Sequence, residues 1–380
     1  MKRRRQLPTM PIPVIVMLPP HGGSTAAERW MAQVRLAAAK DLITRLQTVP
    51  QVGDILILAA DMADRDALQP FSVNLLEPEK EPFHFGRVLA RIGRQAKGSM
   101  AYFGGASAPL LTKDILTTQF ARLETWDGRR ALVNNLHSSD WLYISEAHQL
   151  ETIAQHLPND NALGWVLQTQ AAYQVEAAEP SAASQCDIDT PADVCAAAMH
   201  PGAGEHILQF VTENPVSLME RLSAVMVQMQ TPASSLGLIG RTSSTAWAAL
   251  VKATRSWVRV YAEERGMTAS GRQERGEVRS LLASAMDAMG EEAFIQAVES
   301  MMDAVLWDTR VWLAHHRIWP PDADRFAADL GLLDEIQDEA LKRLTEAQWK
   351  ATIPIVSGGH GIVGGSLLAL VEAIDYQPSR

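Results

Sequence analysis

The residues best suited to chemistry in this sequence lie in the run Cys-Asp-Ile-Asp-Thr-Pro-Ala-Asp-Val, residues 186–194. Thr190 suits the N-cap of a helix, a proline follows at the first helical position, and Asp193 can complete a capping box. Asp187 and Asp189 would then project from a strand-to-helix turn, where open α/β sheets bind ligands. Two carboxylates there predict a Mg²⁺ site beside phosphates. The alternative is that the acidic residues only cap the helix.

A second candidate surrounds His360, within the run Ser-Gly-Gly-His-Gly-Ile-Val-Gly-Gly-Ser, residues 357–366. Glycines on both sides of a histidine let a ligand approach the backbone closely, and the helix that follows can bind an anion at its N-terminus. His360 is therefore a candidate catalytic acid or base. The alternative is a tight turn between helices that needs positive φ angles.

Asp308 is the other candidate catalytic residue. It lies within residues 292–319, an apolar segment that is typical of one central buried helix. A buried carboxylate needs an arginine or histidine partner, and His315 follows two turns later on the same face. Asp308 is then either half of a structural ion pair or a perturbed acid. The adjacent His315 and His316 would point apart on a helix, which argues against a metal site there.

Arg255 and Arg259 are candidates for binding an anionic group. Residues 245–264 show the apolar spacing of a helix, and these two arginines share one of its faces. Arg241 and the hydroxyl groups of residues 242–244 come just before it. A cationic stripe of this kind suits a phosphate or carboxylate, and the alternative is an ordinary solvated face.

The elements that must position these residues differ between the two halves of the chain. The first half alternates continuous apolar runs with helical segments, which predicts a three-layer α/β domain with a mostly parallel sheet. The predicted strands are residues 14–18, 54–60, 71–75, 99–103, 131–134 and 171–176, and the predicted helices include 26–46, 85–95 and 113–123.

After residue 203 the predicted elements are almost all helices, and no good strand is evident. The run Met-His-Pro-Gly-Ala-Gly at residues 199–204 is a candidate linker. We therefore expect an α/β domain over residues 1–203 and a mainly α-helical domain over residues 204–380.

Composition limits the classes of partner. The chain has 380 residues, 34 basic and 44 acidic, for a formal charge of −10, so no overall field gathers nucleic acid. No apolar run is long enough for a membrane span. Two cysteines do not form a disulfide framework, and the basic start lacks a cleavage site, so we expect a cytoplasmic protein. The many Trp and Met residues of the second half make a homo-oligomer plausible.

Two motifs resemble those of nucleotidyltransferases with a GT-A-type fold, the group that includes molybdenum-cofactor and 2-phospholactate guanylyltransferases. One is the Asp-Ile-Asp-Thr-Pro-Ala-Asp-Val run, which is similar to the closing motif of that group. The other is Pro-Leu-Leu-Thr at residues 109–112, after the strand ending Tyr-Phe-Gly-Gly. The resemblance covers roughly residues 11–200 and does not extend to the second half.

The resemblance implies a phosphate loop after the first strand, and here Gly22, Gly23 and Ser24 take that place, with Lys40 as a source of positive charge. It also implies a metal-binding aspartate just before Pro-Leu-Leu. This chain has no carboxylate within residues 105–108, and Ser107 offers only a hydroxyl.

From the residues and the resemblance together we expect a transferase that uses a nucleotide or a nucleotide sugar, with Mg²⁺ at Asp187 and Asp189. A small anionic acceptor would bind near the helical domain, at the Arg255 and Arg259 stripe. The alternative is a degenerate GT-A-like domain that serves as a binding or scaffold module, with any activity in the helical domain.

Overall fold

A computed structural model describes residues 10–20, 23–78, 83–96 and 98–375. Contacts divide the chain into two compact units. The first comprises Met1–Pro20 and Arg35–Ser184, and the second comprises His21–Val34 and Gln185–Arg380. The expected boundary near residue 203 therefore lies inside the second unit.

The N-terminal part of the chain contains a seven-stranded sheet. Its strands are β1 (Ile12–Leu18), β2 (Val52–Ala59), β3 (Asn74–Leu75), β4 (Met100–Gly104), β5 (Arg130–Val133), β6 (Trp141–Ile144) and β7 (Gln174–Ala177). The helices are α1 (Ala26–Leu46), α2 (Met62–Leu68), α3 (Phe85–Gln95), α4 (Lys113–Glu124), α5 (Leu163–Gln170) and α6 (Ala182–Gln185), with a 3₁₀ segment at Ala147–His156. The strand order is β3-β2-β1-β4-β6-β5-β7, and all pairs are parallel except those of β6.

The central strand explains why this sheet is buried on both faces. Successive β1 side chains point to opposite sides. Ile15 and Met17 enter one hydrophobic core, while Val14 and Val16 enter the other. A strand of this kind has no polar face, which is why it reads as a continuous apolar run. The predicted α/β architecture is confirmed, and the antiparallel β6 is the strand that the sequence analysis missed.

The C-terminal part of the chain contains a second sheet. Its strands are β8 (Ser235–Gly240), β9 (Trp257–Ala262), β10 (Ala304–Asp308) and β11 (Ile355–Gly358). Its helices are α7 (Pro191–Met199), α8 (Glu205–Glu213), α9 (Ser217–Gln230), α10 (Ser244–Ala253), α11 (Leu281–Met289), α12 (Glu291–Met301), α13 (Arg310–His315), α14 (Asp322–Leu330), α15 (Glu339–Lys350) and α16 (Gly365–Asp375), with 3₁₀ segments at Leu333–Glu335 and His360–Val363.

This second sheet corrects the expectation that residues beyond 203 form no strand. Its four strands are all parallel, in the order β11-β10-β8-β9, although most of the surrounding chain is helical as expected. The supposed helix over residues 245–264 is α10 followed by β9. The supposed helix over residues 292–319 is α12, β10 and α13 in succession. A buried strand is apolar on all sides, and so is a buried helix, so periodicity alone does not separate them.

Within the described residues, no helix combines the length and apolarity that a bilayer crossing requires. Cys186 and Cys195 are both buried and free, as the cysteine count predicts.

Candidate functional site

The first unit has a crevice-forming position between β1 and β4. From β1 the chain continues to β2 on one side of it, and later places β4 on its other side, so the strand order reverses between β1 and β4. Open α/β sheets bind their ligands at the carboxyl ends of the strands at such a point. The turn after β4 lies at this point. Ser107 donates its N–H to the Gly104 carbonyl oxygen (3.2 Å), and Gly105 donates to the Met17 carbonyl oxygen (2.8 Å).

The motif that follows this turn is held in place by α1 and starts α4. The Arg45 guanidinium donates to the carbonyl oxygens of Pro109 (2.8 Å) and Leu111 (3.1 Å). Thr112 is the N-cap of α4, and its hydroxyl accepts the Ile115 N–H (3.4 Å). The Pro-Leu-Leu-Thr segment therefore follows the strand and precedes the helix, as the resemblance implies.

An acidic side chain that the sequence analysis missed lies at this edge. Because β6 is antiparallel, the residue before it, Asp140, sits beside the end of β4, where its carbonyl oxygen accepts the Gly104 N–H (2.9 Å). The buried Asn134 follows β5. Its side chain donates to the Asp140 carboxylate (2.6 Å) and accepts the Asp140 N–H (2.8 Å). This Asn134–Asp140 clamp fixes a carboxylate near the turn that holds Ser107. Only knowledge of the antiparallel strand would have revealed it.

The predicted phosphate loop lies only in part within the described residues. Gly22 lies outside the described residues. Gly23 has a φ of 61° and precedes Ser24 and a capping box, in which Thr25 donates through its N–H (3.1 Å) and hydroxyl (2.9 Å) to the Glu28 carboxylate. A Cβ on Gly23 would collide with that carboxylate. Glu28 thus occupies the N-terminus of α1, directly after the expected phosphate loop, and the assignment of Gly23 and Ser24 to phosphate remains a prediction.

Lys40 does not reach the turn after β4 through any polar contact. It lies in the C-terminal half of α1, between the buried Ala39 and Asp41. In the part of the chain that the structure describes, Lys40 makes no hydrogen bond or ion pair. Its assignment to a phosphate site remains a prediction.

The second unit has a crevice-forming position of its own, between β8 and β10, where its strand order reverses. Asp308 ends β10 and is fully buried. Its carboxylate accepts from Arg241 Nε (2.5 Å) and Nη2 (3.0 Å), and from the backbone N–H of Arg310 (3.2 Å). The partner of Asp308 is therefore Arg241 after β8, and not His315 as the helical interpretation predicted.

The close approach of these strands depends on a glycine. Gly240 has a φ of 116°, and a Cβ there would lie 2.5 Å from the Cβ of Asp308. Burial raises the pKa of Asp308, but the charge and hydrogen bonds of Arg241 outweigh it, so the net pKa is lowered. Asp308 stays ionised and committed to Arg241. It positions that guanidinium, which makes it a poor proton carrier.

His360 lies at the same edge of the second sheet, directly after β11 and a glycine. The residue has surface exposed to solvent, although protein surrounds most of its ring. Its pKa is lowered, first because the surrounding protein removes water from the charged form and then by the charge of Arg241, while Asp308 and Asp189 act in the opposite direction. A neutral imidazole that solvent can reach is able to accept a proton or a hydrogen bond.

The two motifs singled out from the sequence meet in the second unit. Asp193 is fully buried and completes the predicted capping box, accepting from the Thr190 N–H (2.8 Å) and hydroxyl (2.7 Å). Its other oxygen accepts from the Ser366 hydroxyl (2.6 Å), at the start of α16. Burial raises the pKa of Asp193 to about 7. Asp193 thus braces the acidic motif against the segment that carries His360.

Asp187 and Asp189 belong to this second unit as well. Asp189 is exposed and Asp187 half-buried. The charge of Asp189 acts on His360 and on Arg325. Asp189 therefore shares the environment of His360, and the assignment of both aspartates to Mg²⁺ remains a prediction.

Arg255 and Arg259 do not form the predicted stripe, because the helix that would align them does not exist. Arg255 precedes β9, and Arg259 lies within it, where its guanidinium donates to the Ser235 hydroxyl (3.2 Å). Since β9 is parallel to its neighbours, Arg255 lies at the amino end of the sheet, whereas His360 lies at the carboxyl end. Of the arginines whose charge acts on His360, Arg241 has the largest effect.

Asp287, His315 and His316 bring possible metal ligands within 4.8 Å of one another. The expectation that the two imidazoles point apart is wrong, since both Nε2 atoms face Asp287, at 3.9 Å and 3.4 Å. However, His315 Nδ1 accepts the Ser280 N–H (3.0 Å), so the proton of the neutral ring is on Nε2. Nε2, the ring nitrogen that faces Asp287, would have to be unprotonated to bind a metal. The donor set therefore suits a hydrogen-bonded cluster better than a metal site.

Comparison with known proteins gives likeness in structure only. No family model matches the chain. No curated protein matches it in sequence. Among solved structures, a cytidylyltransferase from Leptospira borgpetersenii shares 14% identity over 54% of this chain and 95% of its own, with a TM-score of 0.38.

Two further similar structures belong to related classes of enzyme. A CMP:2-keto-3-deoxy-manno-octonic acid synthetase solved with CTP covers 44% of this chain and 90% of its own, at 14% identity and a TM-score of 0.31. A 4-diphosphocytidyl-2C-methyl-D-erythritol synthase from Anaerococcus prevotii covers 48% and 92%, at 10% identity and a TM-score of 0.34. At this identity and these TM-scores, the likenesses identify no activity or substrate for this chain.

Proposed function

We propose that the chain is a transferase that uses a nucleoside triphosphate or a nucleotide sugar, bound by its phosphates at the carboxyl ends of β1 and β4. The observation that carries this proposal is the turn Gly104–Ser107. It lies where the strand order of the first sheet reverses, and it leads into the Pro-Leu-Leu-Thr motif. Position in the fold and resemblance in sequence point to the same few residues.

The residues at this edge fit a magnesium ion that is shared with phosphates. Mg²⁺ is commonly held by one or two carboxylates together with substrate oxygens. Here Asp140 supplies a fixed carboxylate and Ser107 a hydroxyl, whereas the sequence-based candidates Asp187 and Asp189 belong to the second unit. A bound Mg²⁺ would neutralise phosphate charge as it develops during transfer. The Asn134–Asp140 clamp holds the carboxylate in one orientation.

The acceptor belongs to the second unit in this proposal. Arg241, fixed by Asp308, supplies positive charge at the carboxyl edge of that sheet, and the accessible His360 supplies a neutral imidazole. In this proposal Arg241 and His360 replace Arg255 and Arg259 as the residues that bind the anionic acceptor. His360 is the candidate base for an acceptor hydroxyl.

The second candidate function is that of a binding or scaffold module, in which the first unit does not catalyse transfer. One observation in the first unit favours it: residues 105–108 contain no carboxylate. Gly23 and Ser24, which were expected to bind phosphate, belong to the second unit, and there Glu28 occupies the N-terminus of α1, where a carboxylate repels a phosphate. In this case the first unit is a scaffold, and any activity belongs to the second.

Calorimetric titration of the whole chain with GTP, CTP, ATP and UTP, each with Mg²⁺, separates the two candidates. We expect heat from at least one triphosphate, and weaker binding in Asp140→Asn than in the matched control Asp114→Asn, which alters an exposed aspartate in the first turn of α4. No heat from any of the four would leave the scaffold function in place.

A further inference from the structure

The turn after β8, the first strand of the second sheet, has the features of an anion-binding site. Residues 240–243 connect β8 to α10, at the point where the strand order of that sheet reverses. Ligands of open α/β sheets bind outside the carboxyl ends of strands at such a point, and the first strand-to-helix turn is the usual place for their phosphates.

The N-terminus of α10 offers backbone donors to solvent. Ser243 is the N-cap, and its hydroxyl accepts the Ala246 N–H (3.0 Å). The preceding N–H groups, those of Ser244 and Thr245, lie in the first turn, where no helical carbonyl can reach them. Both residues are exposed and carry hydroxyl groups. The positive end of the helix dipole adds to the attraction for an anion.

Thr242 gives an independent indication of a missing partner. Only 3% of its surface is exposed, and its Oγ1 has no hydrogen-bond partner among the described residues. Buried hydroxyl groups are nearly always hydrogen-bonded, so an unpaired one calls for a ligand or a water. This hydroxyl belongs to the residue directly before the N-cap of α10.

Arg241 supplies an oriented cation beside the same turn. Asp308 engages its Nε and Nη2, at 2.5 Å and 3.0 Å, and its backbone N–H at 3.3 Å. This leaves Nη1 without a partner among the described residues. A guanidinium held on one edge by a carboxylate presents its remaining donors in a fixed direction. The charge of Arg241 also acts on the exposed His360.

We propose that this turn, residues 241–245, binds the phosphate group of a small molecule, with Arg241 Nη1, the N–H groups of Ser244 and Thr245, and the Thr242 hydroxyl as donors. The inference deepens the acceptor half of the proposed function by naming the group that is recognised. It is independent of whether the first unit binds a nucleotide.

Inorganic phosphate is the probe, added to the whole chain against chloride at equal ionic strength, with the melting temperature and calorimetric heat as readouts. The key variant is Ser244→Pro, because proline is well tolerated at the first position of a helix and removes only the N–H that the ligand would use. Ser243 is already extended (φ −87°, ψ 150°), as a residue before proline must be. Its matched control is Glu339→Pro, the same position of α15.

A second pair of variants tests the hydroxyl. Thr242→Val removes the unpaired group, whereas the control Thr345→Val removes an equally buried hydroxyl that donates to Leu341 (2.7 Å). We expect phosphate to stabilise the wild type, and its binding to weaken about tenfold in Ser244→Pro and in Thr242→Val but not in the controls.

Two results would overturn the inference. One is a wild type that does not distinguish phosphate from chloride. The other is a phosphate response in Ser244→Pro and Thr242→Val equal to that of the wild type, which would show an adventitious ion only or binding elsewhere. Heat from a nucleoside triphosphate that persists in Ser244→Pro supports the proposed function separately, so the two ideas can fail independently.

Discussion

The two sheets of this chain differ in the polar residues at the carboxyl ends of their strands. The edge between β1 and β4 carries the recognisable Pro-Leu-Leu-Thr motif, and the half-buried Asp140 held by Asn134 lies beside it. At the edge between β8 and β10 the fully buried Asp308 is paired with Arg241, and the Asp-Ile-Asp-Thr-Pro-Ala-Asp-Val motif belongs to the same unit. The two motifs that carry the resemblance therefore fall in different units, and function has to be argued from each edge by itself.

The largest expected difference between the two edges is the loss of stability when an aspartate is replaced by asparagine. Asp308→Asn leaves the guanidinium of Arg241 without its carboxylate in a buried setting, which should lower the free energy of unfolding by about 3–5 kcal/mol. Asp140→Asn loses one hydrogen bond of a half-buried group and should cost about 1 kcal/mol. Chemical denaturation of both variants measures the two values. Equal losses would remove the contrast between the edges.

The free energy of unfolding should depend on pH through Asp193, the buried residue of the acidic motif. The pKa of Asp193 is about 7 in the folded chain and near 4 when unfolded, so the folded state binds more protons between these values. Stability from this group is complete below the unfolded pKa and is lost as the pH rises through 7. The loss between about pH 5 and about pH 8 is on the order of 3 kcal/mol.

Denaturation of the wild type and of Asp193→Asn at both pH values checks this expectation. The amide does not titrate, so the difference in slope between the two proteins isolates the buried carboxylate. A variant that keeps the full pH dependence of the wild type would show that Asp193 is ionised in the folded chain.

Adding a carboxylate at the edge between β1 and β4 tests whether that edge lacks only a metal-binding acid. Ser107→Asp places an acid where the resemblance implies a metal-binding aspartate, and we expect Mg²⁺-dependent binding of a nucleoside triphosphate to tighten by about tenfold. Ser107→Asn is the uncharged control. Titration with and without Mg²⁺ gives the readout, and a gain that does not depend on Mg²⁺ would exclude this explanation.

The smallest effects are expected at the arginines that the sequence analysis favoured. Arg255 and Arg259 are exposed, so their alanine variants should change stability by less than about 0.5 kcal/mol. Neither should alter the response to phosphate. A clear loss of phosphate binding in Arg255→Ala would move the anion site to the amino end of the second sheet.

The outcome for particular residues shows what the sequence could and could not predict. The helix over Ala26–Leu46 and the capping box of Thr190 and Asp193 were predictable, because both depend on neighbours in sequence. The strand β10 was not, since its Ala-Val-Leu-Trp run is apolar on all sides and suits a buried helix equally well. The partnership of Arg241 with Asp308 joins residues 67 positions apart and follows only from that strand.

A crystal structure of the whole chain grown with Mg²⁺ and the most exothermic nucleoside triphosphate tests the central claim most directly. We predict phosphate density at the turn Gly104–Ser107, with the ion beside Asp140. Phosphates found only at the turn before α10, with the first edge empty, would contradict a nucleotide-using first unit and favour its role as a scaffold.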